Sequence, residues 1–241
     1  MGFPFAYYDL LDAFAKPGCA VCALLLRDAA QFLDKLLYEF VNDRQMQRAF
    51  RASYGLCNPH SWQLTGYRGG ALGAAILHAA VLGDIQAKMD RFAPASAALT
   101  GISRLFRADA PGEALARALE PQAACMACER LAVAESDAIS TLAQVIHLPD
   151  VQSAYQASEG LCLPHFRQLL RQVSSPSDLK AVISFQAAIW SKLEAEIAEF
   201  QRKSDAHYGD ETIDADEATS WLRAVGQVAG AKGALPGTRR P

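Results

Sequence analysis

The strongest constraint on this chain is a short motif that it carries twice. Residues 55–60 read GLCNPH and residues 160–165 read GLCLPH, 105 positions apart. Each copy follows an upstream Cys-x-x-Cys pair. The residues able to do chemistry therefore fall into two matching series, Cys19, Cys22, Cys57 and His60, then Cys125, Cys128, Cys162 and His165. The two pairs of a series are separated by 34 residues in the first and 33 in the second. Together the series use all six cysteines and leave only His78, His147 and His207 outside.

Spacing decides what these residues are for. In a reducing compartment six cysteines are not expected to form structural disulfides. Buried cysteines can serve as small apolar side chains, but six cysteines and two histidines would then have to match in register by accident. A redox CxxC belongs in a βαβ setting and would leave the third cysteine and the histidine unused. Metal ligation accounts for all eight residues. Donors three apart at a helix start point the same way, and the free N–H groups and dipole of that helix end favour thiolates.

Three thiolates and one imidazole make a closed structural-zinc set. Their softness excludes magnesium and calcium, while an iron–sulfur cluster, also held mainly by cysteines, stays open. Two Zn²⁺ are therefore the expected cofactors, with two iron–sulfur clusters as the alternative. A zinc ion with three thiolates carries −1, so two such sites would move the formal net charge from −3 to about −5.

The repeat extends beyond the motif. Aligning 45–64 on 150–169 gives eleven identities in twenty ungapped positions. Duplicated segments imply duplicated supersecondary units. The expected fold is all-α, with two homologous helical repeats at 1–95 and 112–208 related by a pseudo-twofold axis. A linker at 96–111 joins them, and 209–241 supplies an acidic segment, a short helix at 216–229 and a disordered tail. Each repeat is expected to build its own Cys3His site; the rival pairing joins Cys19 and Cys22 to Cys162 and His165.

Apolar residues at helical spacing mark a long helix after each CxxC, through Leu25, Phe32, Leu33, Leu36, Leu37 and Phe40, and through Leu131, Ile139, Leu142, Val145 and Ile146. Short helices are expected at about 44–54 and 150–159, ended by Gly55 and Gly160 in left-handed geometry. Pro59 and Pro164 then suit the first position of a third helix, which puts Cys57 and Cys162 in a turn and His60 and His165 in the first helical turn. Closing helices are expected at about 69–92 and 178–204, the latter with Glu194, Glu196 and Glu199 suited to a surface. No stretch alternates long enough to suggest a sheet.

Several function classes fall away. With 26 acidic and 23 basic residues and no basic run beyond Arg239-Arg240, nucleic-acid binding is not expected. The N-terminal MGFPFAYYDL lacks the charged and apolar regions of a secretory signal, and the apolar stretch 69–83 is too short to cross a bilayer. A cytoplasmic protein without membrane contact is expected. No dinucleotide or P-loop glycine motif, HExxH or paired Glu-x-x-His is present. His147 with Asp150 reads as a helix junction rather than a catalytic pair, and His78 as a satisfied core histidine.

The segment LLYEFVNDRQMQRAFRASYGLCNPH with its upstream CxxC, followed by SEGLCLPHFRQLL, resembles a bacterial and archaeal family with tandem CxxC…GLCxxH repeats, known as a domain of unknown function. The resemblance covers about 17–64 and 123–170 and implies the same eight ligands. The sequence departs from it at CAVC, where the first CxxC often has Pro after its first Cys. Two functions follow from the residues: a non-enzymatic binding or adaptor module with a protein partner, or an iron–sulfur protein for electron transfer or sensing.

Overall fold

The computed structural model describes residues 5–97, 112–205 and 211–235, and among these it holds eleven helices and no strand. The chain divides into two compact units, one from Met1–Ala29 and Leu131–Pro236, the other from Ala30–Arg130. These units cut across the two sequence halves. Among the described residues the first unit combines the N-terminal and C-terminal segments, and the second is the stretch between them in sequence.

The first unit opens with α1 (Phe5–Phe14), which the sequence reading did not anticipate. It buries Tyr7, Leu10, Ala13 and Phe14 on one face, a short stripe at helical spacing. The unit continues with the start of α2 (Ala20–Tyr38) and, after α3 to α6, most of α7 (Met126–Val145). Next come α8 (Pro149–Ala157), α9 (Leu163–Gln172), α10 (Pro176–Lys203) and α11 (Ala215–Ala229). Its core includes Leu25, Ile139, Leu142, Ile146, Tyr155, Leu161, Leu169 and Val182. Helix α11 is capped at Asp214, whose side chain accepts from Glu217 N–H while the Glu217 carboxylate accepts from Asp214 N–H.

The tail expected to be disordered contradicts that reading over its first part. Residues 230–235 follow α11 onto the unit, with Ala234 fully buried and Ala231 packed on the core. The rest of the tail lies outside the described residues.

The second unit holds the end of α2, then α3 (Arg44–Ala52), α4 (Asn58–Leu64), α5 (Ala71–Ala97), α6 (Glu113–Ala118) and the first residues of α7. Leu33, Leu36, Leu37, Phe50, Leu56, Leu64 and Leu77 form its core. Helix α5 runs to Ala97, and the remainder of the expected linker lies outside the described residues. The Asp43 side chain caps α3 by accepting from Gln45 N–H and Met46 N–H.

Both expected glycines take positive φ, Gly55 at 85° and Gly160 at 70°. At the end of α3, however, Tyr54 is the first left-handed residue, with φ 51°. Tyr54 N–H donates to Arg51 O and Gly55 N–H to Phe50 O, the two bonds of a Schellman ending.

Candidate metal centres

Four helix starts carry all eight candidate ligands. Cys19, Cys57, Cys125 and Cys162 each stand immediately before a helix, and the carbonyl of each accepts the first backbone bond of that helix, from Ala23, Ser61, Glu129 and Phe166. Cys22, His60, Cys128 and His165 lie three residues further on. The residue that caps a helix and the third residue within it bring their side chains together over the open helix end. Both Cys-x-x-Cys and Cys-x-Pro-His therefore bring two donors together by the same local geometry. Pro59 and Pro164 occupy the second position of α4 and α9, so these helices begin one residue earlier than the prolines alone suggest.

The pairing of helix starts corrects the sequence expectation. Cys19 and Cys22 meet Cys162 and His165, and Cys57 and His60 meet Cys125 and Cys128. Neither half builds its own site. In each series the second motif stands beside the other series' CxxC.

In the first group Cys22 Sγ is 3.8 Å from Cys162 Sγ, and His165 Nδ1 lies 3.3, 3.5 and 3.2 Å from the sulfurs of Cys19, Cys22 and Cys162. All four residues are buried. In the second group Cys57 Sγ is 3.5 Å from Cys128 Sγ, and His60 Nδ1 lies 3.1, 3.6 and 3.4 Å from Cys57, Cys125 and Cys128. Here Cys128 is half-buried and the other three are buried. The four donor atoms of each group lie within 4.8 Å of one another, so each group could hold a metal ion.

With protons among the donors in place of a metal, charge distributes unevenly. Burial opposes ionisation of Cys19, but hydrogen bonds from Cys162, Cys22 and His165 hold its thiol well below the usual range. Those same bonds to Cys19 and Cys22 push Cys162 far up. Burial would depress His165, yet Cys19, Cys22 and Glu135 raise it to about 11. In the second group burial is outweighed at Cys125 by His60 and nearby backbone N–H groups, which bring it down to about 6. Burial pushes Cys57 and Cys128 up, helped at Cys128 by Cys57 and Cys125. Cys19 in one group and Cys125 in the other are thus the thiols held low, while Cys162, Cys57 and Cys128 are held high and a cation has to displace their protons.

Residues around the first group escaped the sequence reading. Glu135 Oε1 lies 3.0 Å from His165 Nε2, an ion-pair distance outside hydrogen-bond alignment, and accepts from Gln168 Nε2 at 2.5 Å. Ala231 N–H donates to Cys22 Sγ at 3.4 Å. One sequence signal pointed to Glu135: it stands seven residues after Cys128, where α2 has Ala29 seven after Cys22.

The other histidines fall outside both groups among the described residues. His78 pairs with Ala74 O at 2.8 Å and meets Phe50 edge-on, as a satisfied histidine should. His147 is exposed, and Asp150 accepts from Tyr7 OH. His207 lies outside the described residues.

No curated protein and no solved structure matches the chain. One family does, over residues 8–231 and so over both Cys/His groups. The chain belongs to the Family of unknown function (DUF6062).

Proposed function

We propose that the protein is a two-ion zinc protein in which each Cys3His group binds one Zn²⁺ and ties two helix starts together. The donor spacing carries this reading. A tetrahedral ion with Zn–S bonds near ~2.3 Å needs sulfurs about 3.8 Å apart and a nitrogen about 3.6 Å from each sulfur. The groups offer sulfur pairs at 3.8 and 3.5 Å and sulfur–nitrogen pairs from 3.1 to 3.6 Å. An iron–sulfur cluster with one ligand per iron would hold its four donors further apart, because each binds a different metal atom.

Both ligand sets close at four with no position for a substrate, which favours a non-enzymatic binding module with a protein partner. The carboxylates first read as its surface are partly engaged within the first unit. Glu196 pairs with Arg223 at 2.6 Å and Glu199 with Arg202 at 2.8 Å. A better candidate is α11, where Trp221, Leu222, Val225 and Val228 are each at least 50% exposed. A cytoplasmic location without nucleic-acid or membrane contact is part of the same proposal.

Elemental analysis and a visible spectrum of anaerobically purified protein test the metal. Two zinc ions per chain and no absorbance near ~400 nm are expected, since clusters are coloured and zinc thiolates are not. A brown protein bleached by dithionite would select the electron-transfer reading instead.

A further inference from the structure

The two groups share one ligand geometry and differ in what lies over it. Around Cys19, Cys22, Cys162 and His165 the chain adds an outer layer. Glu135 stands against the far nitrogen of His165. The segment after α11 closes over the thiols with Ala231 N–H on Cys22 Sγ. The approach is close enough that a Cβ built on Gly230, where φ is +82°, would lie 3.0 Å from Leu235 Cδ1 and 3.6 Å from Cys22 Sγ. Helix α11 itself is anchored through buried Gln227, which accepts from Trp190 Nε1 at 2.9 Å and donates to Glu159 O at 2.7 Å.

The second group has no such layer. Among the described residues no carboxylate pairs with His60, and Cys128 is the one ligand of the eight that is not buried. Trp62, two residues past His60, is 69% exposed.

Resting on the two-ion reading, we infer that the sites are unequal by construction: the ion on Cys19, Cys22, Cys162 and His165 is sealed, and the ion on Cys57, His60, Cys125 and Cys128 exchanges with thiophilic divalent cations. A metal leaves a thiolate site when an incoming donor reaches the metal or a proton or electrophile reaches a sulfur. Cys128 gives that access, whereas a carboxylate beside the histidine and a chain segment packed over the sulfur retard it. The second unit then responds to available zinc or cadmium while the first keeps its fold.

The test is release of zinc from the intact, metal-loaded chain to a colorimetric chelator. Two phases of one ion each are expected, with the fast one at least ~10-fold quicker. Cys128→Ser should abolish the fast phase and leave the slow one. Glu135→Gln should leave two ions bound and speed the slow phase by about 10–100-fold, the usual cost of losing such a support. Alkylation of the unaltered protein by iodoacetamide, read by mass spectrometry, gives a check that needs no variant, because Cys128 should label first. Release of both ions in a single phase, a slow phase lost in Cys128→Ser, or first labelling at Cys19, Cys22 or Cys162 would each overturn the inequality while leaving the two-ion reading intact. A purified protein without two metal ions would overturn the two-ion reading itself.

Discussion

The GLCNPH and GLCLPH turns place the same backbone in different company. At Gly160 the neighbour is Gln186, fully buried, whose Oε1 accepts from Tyr155 OH at 2.6 Å and from Leu161 N–H at 3.0 Å. At Gly55 the residue matching Tyr155 is Phe50, and the neighbour is His78, stacked edge-on. The neighbour across the glycine is an amide at the second turn and an aromatic pair at the first. A ligand geometry made at a helix start is local and survives duplication, while its surroundings are tertiary and free to diverge.

The largest expected effect concerns the pairing itself. Cys19→Ser with Cys162→Ser should lose one ion, because both strike the same site, whereas Cys19→Ser with Cys57→Ser should lose two. Metal analysis of the double variants separates this from sites built within each half, which would give the reverse. Losing the sealed ion should cost more than about 4 kcal/mol, measured by denaturant unfolding, as expected for loss of a structural metal.

Acid should separate metal from both groups. Cys162 in the first, and Cys57 and Cys128 in the second, have raised pKa values in the metal-free state, so protons compete directly with the cation. Affinity should therefore rise with pH and fall on acidification, by up to ~10-fold per pH unit for each proton displaced. Zinc titrations at several pH values would show it, and an affinity independent of pH would mean these thiols are not ligands.

Next come the glycines. Gly160→Ala places a methyl 2.8 Å from Gln186 Oε1 in a left-handed backbone, whereas at Gly55 the nearest atom is 3.5 Å away. Gly55→Ala should cost about 1–2 kcal/mol for the backbone alone, and Gly160→Ala a further 1–3 kcal/mol for overpacking. Equal losses in thermal or chemical unfolding would show that Gln186 yields freely.

The smallest effect is Tyr155→Phe, which converts the second turn toward the first. It removes one hydrogen bond from Gln186 and leaves the Leu161 bond in place, so a loss of about 0.5–1.5 kcal/mol is expected. Chemical denaturation of Tyr155→Phe beside the parent chain measures it.

Much of this was legible in the sequence because it is local. The periodic stripes through Leu33, Leu36 and Leu37 and through Ile139, Leu142 and Ile146 are buried as read. The motif spacing placed every candidate ligand at a helix start. What spacing could not convey was which starts meet, since that is decided by tertiary packing and leaves no local pattern. The seal over Cys22 was equally hidden. Gly-Ala-Lys-Gly-Ala reads as a flexible tail, yet beyond the buried anchor at Gln227 it packs on the core and brings Ala231 N–H to a sulfur 209 residues earlier in the chain.

The nested pairing also sets an order on biosynthesis. A chain leaving the ribosome folds from its N-terminal end, and Cys19, Cys22, Cys57 and His60 are the first complete set of four donors to emerge. That set is chemically competent and wrong. The inner site becomes available only when Cys128 has been made, and the outer one only after His165, with its cover arriving last at 230–235. A metal ion held by that set would occupy donors that both native groups need, and it would have to be released before either could form.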